Sequence, residues 1–100
     1  MSSFRAEVPH CLGKDAAKQR LQTFIDKISQ QFQEQVTHLQ RDWQDHTLHF
    51  SLTTYGMNVT GTLTVENDLA RIEGKLPLAA MMFRGKIEKT VVGELERELA

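Results

Sequence analysis

The stretch from Leu39 to Leu76 decides the fold, and it reads LQRDWQDHTLHFSLTTYGMNVTGTLTVENDLARIEGKL. Four successive runs in it alternate with polar neighbours, and apart from Arg41 the alternating residues are apolar or small: Leu39, Arg41 and Trp43; Leu48, Phe50 and Leu52; Met57, Val59, Gly61, Leu63 and Val65; Ala70, Ile72, Gly74 and Leu76. Polar or glycine-containing breaks separate them at Gln44–His46, Tyr55–Gly56 and Glu66–Asp68. A period of two with such breaks predicts an antiparallel meander with one apolar face.

The intervening positions of these runs are mostly threonine, serine, histidine and charged residues. A sheet that divides so cleanly packs one face on a core and turns the other towards water or a partner. This Thr-rich face and the C-terminal helix described next are therefore the candidate surfaces for a homodimer.

The segments on either side of the meander predict a further strand and two helices. Alternation at Phe4, Ala6 and Val8 predicts a short strand that ends at Pro9. A helix is expected from about Lys14 to about Gln35, with apolar residues three or four apart: Ala17, Leu21, Phe24, Ile25, Ile28 and Phe32. A second is expected from about Leu78 to the end, with its stripe at Phe83, Ile87, Val91, Leu95 and Leu99.

The predicted fold class is α+β, a two-layer sandwich in the order β-α-β-β-β-β-α with both amphipathic helices on one face of the sheet. By analogy of fold, it resembles a reduced helix-grip architecture, in which ligands sit between helix and sheet. We expect apolar side chains to fill that space here: Phe24, Ile28, Phe50, Leu63, Phe83 and Ile87. A gap between the layers would instead indicate a small domain that binds apolar acyl or hydroxyacyl ligands.

The length and net charge of the chain argue against several classes of function. The chain has 100 residues, the size of one domain, with 12 basic and 13 acidic residues and a net charge of −1. The absence of a basic run argues against nucleic-acid binding, and no apolar stretch approaches the length of a membrane span. We expect a cytoplasmic domain spanning residues 1–100, with neither a signal peptide nor, given the single Cys11, an internal disulfide.

No catalytic, cofactor or metal constellation is predicted. The four histidines, His10, His38, His46 and His49, have no metal-ligand spacing with Cys11, Asp42 or Asp45, and they are expected at the surface or in turns. Cys11 is expected to be half-buried before a helix, and Asp42 and Asp45 to lie in a turn. Gly61 and Gly74 predict a bulge or the close approach of a helix. The chain is therefore interpreted as a non-enzyme.

Met81, Met82 and Phe83 are the candidate interaction residues at the start of the last helix. A flexible apolar cluster can adapt to an irregular hydrophobic surface. Met82 and Phe83 lie on or beside the stripe and are expected in the core, whereas Met81 lies nearer its edge and is the better candidate for an exposed contact.

Several segments, in order, resemble the polyhydroxyalkanoic acid system protein family over nearly the whole chain. His10-Cys11-Leu12-Gly13 before an alanine-bearing helix, Trp43 to Phe50, and Gly61 to Val65 are similar to its His-x-Leu-Gly, Trp-turn-Leu-x-Phe and Gly-x-Leu-x-Val patterns. The segment from Leu76 to Ile87 fits its tail. The matched positions are His10, Leu12, Gly13, Trp43, Phe50 and Gly61.

The resemblance implies a bacterial, non-catalytic accessory or regulatory role at granules of storage polyester, with the granule surface or granule proteins as partners. The family offers no catalytic residues to transfer. An apolar-ligand carrier and a homodimeric interaction module remain the alternatives, to be separated by particle binding, ligand-induced thermal shift and sedimentation mass.

Overall fold

The computed structural model describes residues 2–100 and contains five strands and two α-helices. The strands are β1 (Ser2–Pro9), β2 (Val36–Gln44), β3 (Thr47–Thr54), β4 (Met57–Val65) and β5 (Leu69–Leu76). The helices are α1 (Lys14–Gln31) and α2 (Arg84–Glu98), and a 3-10 helix at Leu78–Phe83 leads directly into α2.

All five strands form one antiparallel sheet in the order β1-β5-β4-β3-β2. The four strands β2 to β5 are joined as consecutive hairpins, and β1 lies at the far edge beside β5. Tyr55 and Gly56 connect β3 to β4 with positive φ angles of 50° and 77°, as a tight two-residue hairpin loop requires. The predicted α+β fold class and the meander are confirmed.

The core lies between the inner face of the sheet and the two helices. One cluster joins both helices to the sheet, and its members include Val8, Ala17, Leu21, Leu48, Leu63, Val65, Ala70, Leu95 and Leu99. A second, smaller cluster of Phe4, Leu76 and Ala80 lies where the 3-10 helix meets the sheet. The alternating positions predicted to be apolar are therefore the ones that face the helices.

The junction of α1 and β2 differs from the prediction. α1 ends at Gln31 rather than near Gln35, because the backbone N–H groups of Gln35 and Val36 both bond to the carbonyl of Phe32 and turn the chain. β2 consequently begins at Val36 rather than at Leu39. The pairing register with β3 shifts between Thr37 and Gln40, a bulge that interrupts the period of two and hides the start of the strand.

The close approach at the strand glycines comes from aromatic rings on neighbouring strands. Gly61 and Gly74 face each other across β4 and β5 with no shift in register, so the expectation of a bulge or an approaching helix is wrong. A Cβ atom on Gly61 would lie 2.7 Å from Cζ of Phe50 and 2.5 Å from the carbonyl oxygen of Glu73. One on Gly74 would meet the ring of Phe4. The glycine pair therefore gives two phenylalanine rings room to lie flat on the sheet.

Candidate functional site

The segment before α1 is held by a buried histidine. His10 is 7% exposed, which corrects the expectation of a surface or turn histidine. Its Nε2 donates to the carbonyl of Glu66 at 2.9 Å, and its Nδ1 accepts from the backbone N–H of Leu12 at 3.1 Å. These two bonds fix a neutral imidazole protonated on Nε2. His10 thus ties the β1–α1 connection to the β4–β5 turn.

Both ring nitrogens of His10 are engaged by backbone groups, so this imidazole is not placed to act as a base for the neighbouring thiol. Cys11 itself is exposed rather than half-buried. Gly13 has a φ of 81°, and its carbonyl accepts the bond from Ala17 that opens α1. His10, Leu12 and Gly13 therefore form the structural start of α1.

A second contact ties the start of α1 to the β2–β3 hairpin. The Nζ atom of Lys18 lies 5.1 Å from the ring centre of Trp43 and also donates to the carbonyl of Asp45. His46 Nε2 lies 2.7 Å from Oδ1 of Asp15, and its Nδ1 lies 2.9 Å from Oδ1 of Asp45. The hydrogen bond with His46 is the main cause that lowers the pKa of Asp15, and nearby positive charges add to it.

The other polar candidates do not assemble into a site. Within residues 2–100, no group of three or more histidine, cysteine, aspartate or glutamate side chains is arranged to hold a metal ion. Asp42 lies within β2 rather than in a turn, where Gln44 donates to its carboxylate, whereas Asp45 does lie in the turn. His38 and His49 are exposed on separate strands.

The candidate interaction residues are exposed, and their expected order is reversed. Met82 is 84% exposed and Phe83 54%, so the prediction that these two lie in the core is wrong, while Met81 is 37% exposed. Ala80 is the residue of this segment that is buried. Because α2 begins only at Arg84, the four-residue spacing from Ile87 back to Phe83 does not keep one helical face.

Sequence reasoning missed three further exposed apolar residues at this end of the molecule. Leu78 is 76% exposed, and Tyr55 and Phe32 are also exposed. The end of β5, the β3–β4 turn and the start of β2 lie at the same end of the antiparallel sheet. We call this set the apolar end: Phe32, Tyr55, Leu78, Met81, Met82 and Phe83. An aromatic residue in a hairpin turn was the one signal in the sequence that could have found Tyr55.

An apolar cleft opens between the layers, so the expectation that side chains fill this space is wrong. Its volume is about 290 Å³. The lining side chains come from both helices and four strands: Leu21, Phe24, Ile25, Ile28, Ser29, Val36, Leu39, Arg41, Leu48, Phe50, Leu52, Leu63, Ile72, Thr90, Val91, Glu94 and Leu95. Four of the six residues expected to fill the space instead form its walls: Phe24, Ile28, Phe50 and Leu63. Phe83 and Ile87 are not part of the lining.

Comparison with models of protein families shows which family this chain matches. The model of a family described as putative polyhydroxyalkanoic acid system protein matches residues 5–99. The chain belongs to this family. Neither the curated proteins nor the solved structures contain a match. Among residues 2–100, no helix has the length and apolar character needed to cross a membrane.

The matched positions of this polyhydroxyalkanoic acid system protein mostly hold the fold together. His10, Leu12 and Gly13 start α1, Trp43 contacts Lys18, and Gly61 makes room for an aromatic ring. Phe50 is the matched residue that also lines the cleft. The cleft and the apolar end are therefore two candidate binding surfaces, and no residue of the apolar end is part of the cleft lining.

Proposed function

We propose that this polyhydroxyalkanoic acid system protein is a non-catalytic accessory or regulatory protein of the bacterial polyester storage system. It acts in the cytoplasm by contact with the granule surface, and the apolar end is the contacting region. The observation that carries this proposal is the 3-10 helix, which exposes Leu78, Met82 and Phe83 within six residues. Family membership supplies the system in which the contact takes place.

Exposed apolar residues scattered singly are ordinary on protein surfaces, whereas clustered ones mark interaction sites. Here a six-residue segment of six apolar residues follows Pro77 and buries Ala80 against the sheet, leaving its larger side chains outward. Methionine side chains are flexible and polarizable, which suits them to an irregular polymer surface. With a net charge of −1, the chain has little electrostatic attraction to a charged surface, so the proposed contact is mainly apolar.

Co-sedimentation with protein-free polyhydroxyalkanoate particles tests the proposal. The wild-type protein is expected to pellet with the particles, and a Met82→Gln/Phe83→Gln variant is expected to stay in the supernatant. The matched control is His49→Gln/Thr60→Gln, which changes two exposed residues on the outer face of the sheet. Equal pelleting of the wild type and the Met82/Phe83 variant would overturn the assigned contact region.

Localisation in cells that accumulate polyester gives the second test. A tagged copy is expected at granules, and the Met82→Gln/Phe83→Gln copy is expected to be diffuse. Binding to native granules but not to protein-free particles would assign the contact to a granule protein instead of the polymer. A diffuse wild-type signal during accumulation would contradict the granule role.

A further inference from the structure

The cleft lies beside the part of α1 in which the apolar side chains are less buried. Ala17 and Leu21, in the first half of the helix, are fully buried. Phe24, Ile25 and Ile28, one and two turns further on, are only half-buried although they continue the same apolar stripe. The floor beneath them is Phe50 and neighbouring side chains of the sheet. The apolar side chains in the second half of α1 are therefore less buried than those in the first half, although Ile25 still packs against the core.

The size of the cleft restricts what can enter it. About 290 Å³ is roughly twice the ~150 Å³ of an engineered apolar cavity that admits benzene, and it lies at the lower limit of small-molecule sites, about 300 Å³. One flexible hydrocarbon chain fits this volume and the apolar walls.

A single charged residue breaks the apolar pattern on the inner face of the sheet. Arg41 pairs with Phe50 across β2 and β3, so it lies on the same face as the cleft lining. Its Nη1 atom donates to Oδ1 of Asp26 on α1, which places the guanidinium at the mouth between helix and strand. Glu94, on the α2 side, is engaged by Arg97. The mouth thus carries the Arg41–Asp26 ion pair and Glu94 beside a cleft whose other walls are mostly apolar.

We propose that the cleft binds one acyl chain of a fatty carboxylate, with the hydrocarbon between α1 and the sheet and the carboxylate on the guanidinium of Arg41. Arginine binds carboxylates with two parallel donors, and part of its fork remains for a ligand after the bond to Asp26. The apolar walls supply affinity for the chain, and Arg41 supplies the preference for an acidic head group. This site is independent of the proposed granule contact.

Titration calorimetry tests the proposal, with decanoate below its micelle-forming concentration and decanol below its solubility limit. The wild type is expected to bind one decanoate, about tenfold more tightly than decanol, because a charge-assisted hydrogen bond contributes that much. Arg41→Gln is expected to remove the preference and leave decanol binding unchanged. Arg84→Gln removes the same charge away from the cleft and is expected to keep the preference.

Two further variants separate the cleft from nonspecific adsorption. Thr90→Trp places a large ring at an exposed position of the cleft wall and is expected to weaken both ligands at least tenfold. Lys89→Trp, at the adjacent exposed position outside the lining, is expected to bind both normally. Asp26→Asn frees the guanidinium and is expected to tighten decanoate several-fold without affecting decanol.

Three outcomes would overturn the proposal. They are the absence of saturable binding of either probe, equal binding by the Thr90→Trp and Lys89→Trp variants, and a wild-type dimer that the Thr90→Trp substitution dissociates. The last would assign the cleft to a second copy of the chain. The Met82→Gln/Phe83→Gln variant leaves the cleft intact. Loss of ligand binding in the calorimetry can therefore be distinguished from loss of the granule contact in the co-sedimentation.

Discussion

At the scale of single residues, His10 is the clearest case of a polar group whose removal should be costly. Replacing it with alanine leaves the carbonyl of Glu66 and the N–H of Leu12 without their bonds in a largely buried place. We expect His10→Ala to lower the free energy of unfolding by about 2 kcal/mol, measured by urea denaturation. His49→Ala, at an exposed position, is the control and should change it little. Equal stability of the His10→Ala and His49→Ala variants would contradict the role of this imidazole.

The second prediction at the scale of single residues concerns Gly61. Alanine there would bring its Cβ against Phe50 and the Glu73 carbonyl, so we expect Gly61→Ala to destabilise the fold by about 1–3 kcal/mol. Gly93, within α2, has open space around the position of a Cβ. Gly93→Ala should therefore stabilise the protein by about 0.5–1 kcal/mol. Thermal unfolding distinguishes the two, and a tolerated Gly61→Ala would show that the ring does not lie on the glycine.

Asp15 predicts a pH dependence. Its pKa is lowered in the folded protein, mainly by the hydrogen bond with His46, so its contribution to stability is present above the unfolded pKa. That contribution is lost as the pH falls through the lower, folded pKa. In a carboxyl-detected titration, we expect the Asp15 midpoint below the ordinary aspartate value and a return towards that value in His46→Ala. An identical midpoint in both proteins would be the contrary result.

At the scale of elements, α1 has two halves with different roles. Leu63 and Ile28 both line the cleft, but Leu63 on the sheet is buried, whereas Ile28 on the helix is only half-buried. Because a buried unpaired charge costs several kcal/mol against a total of roughly 5–15, we expect Leu63→Asp to unfold the domain. Ile28→Asp should stay folded, since its carboxylate can reach water. Circular dichroism of both variants tests this, and unfolding of both would mean that the second half of α1 packs tightly on the sheet.

The sequence predicts the helices and strands better than the distances between them. The apolar stripe of α1 continues through Ile28, and nothing in its spacing indicates how far the helix stands from the sheet. That distance depends on where α2 and the β2 bulge lie, which are long-range features. The bulge also explains why the start of β2 was predicted three residues late. For the same reason, the partner of His10 could not be predicted, because Glu66 lies 56 residues further along the chain.

At the scale of the whole molecule, the cleft and the apolar end should behave as separate surfaces. We expect Arg41→Gln to lose the preference for decanoate while still pelleting with polyester particles. Met82→Gln/Phe83→Gln should do the reverse, and the combined variant should lose both activities. Parallel calorimetry and co-sedimentation check this, and loss of particle binding by Arg41→Gln would show that the two surfaces are coupled.

The alternation between Leu39 and Leu76 was sufficient to predict the architecture, because each strand of an antiparallel meander carries its own local signal. The candidate site was harder to predict from the sequence. Met81, Met82 and Phe83 were found from composition, but their exposure depends on the 3-10 helix, and the cleft depends on packing between distant segments. The Thr-rich outer face stays a predicted dimer surface, which sedimentation at high micromolar concentration tests.

The contact between Lys18 and Trp43 gives the protein a built-in optical probe. Trp43 is the single tryptophan of the chain, half-buried at the place where the first turns of α1 meet the β2–β3 hairpin. Its fluorescence therefore reports on one location, the contact between the first turns of α1 and the β2–β3 hairpin. Emission recorded during a slow denaturant ramp can show whether α1 detaches before the sheet melts, with no dye or label attached.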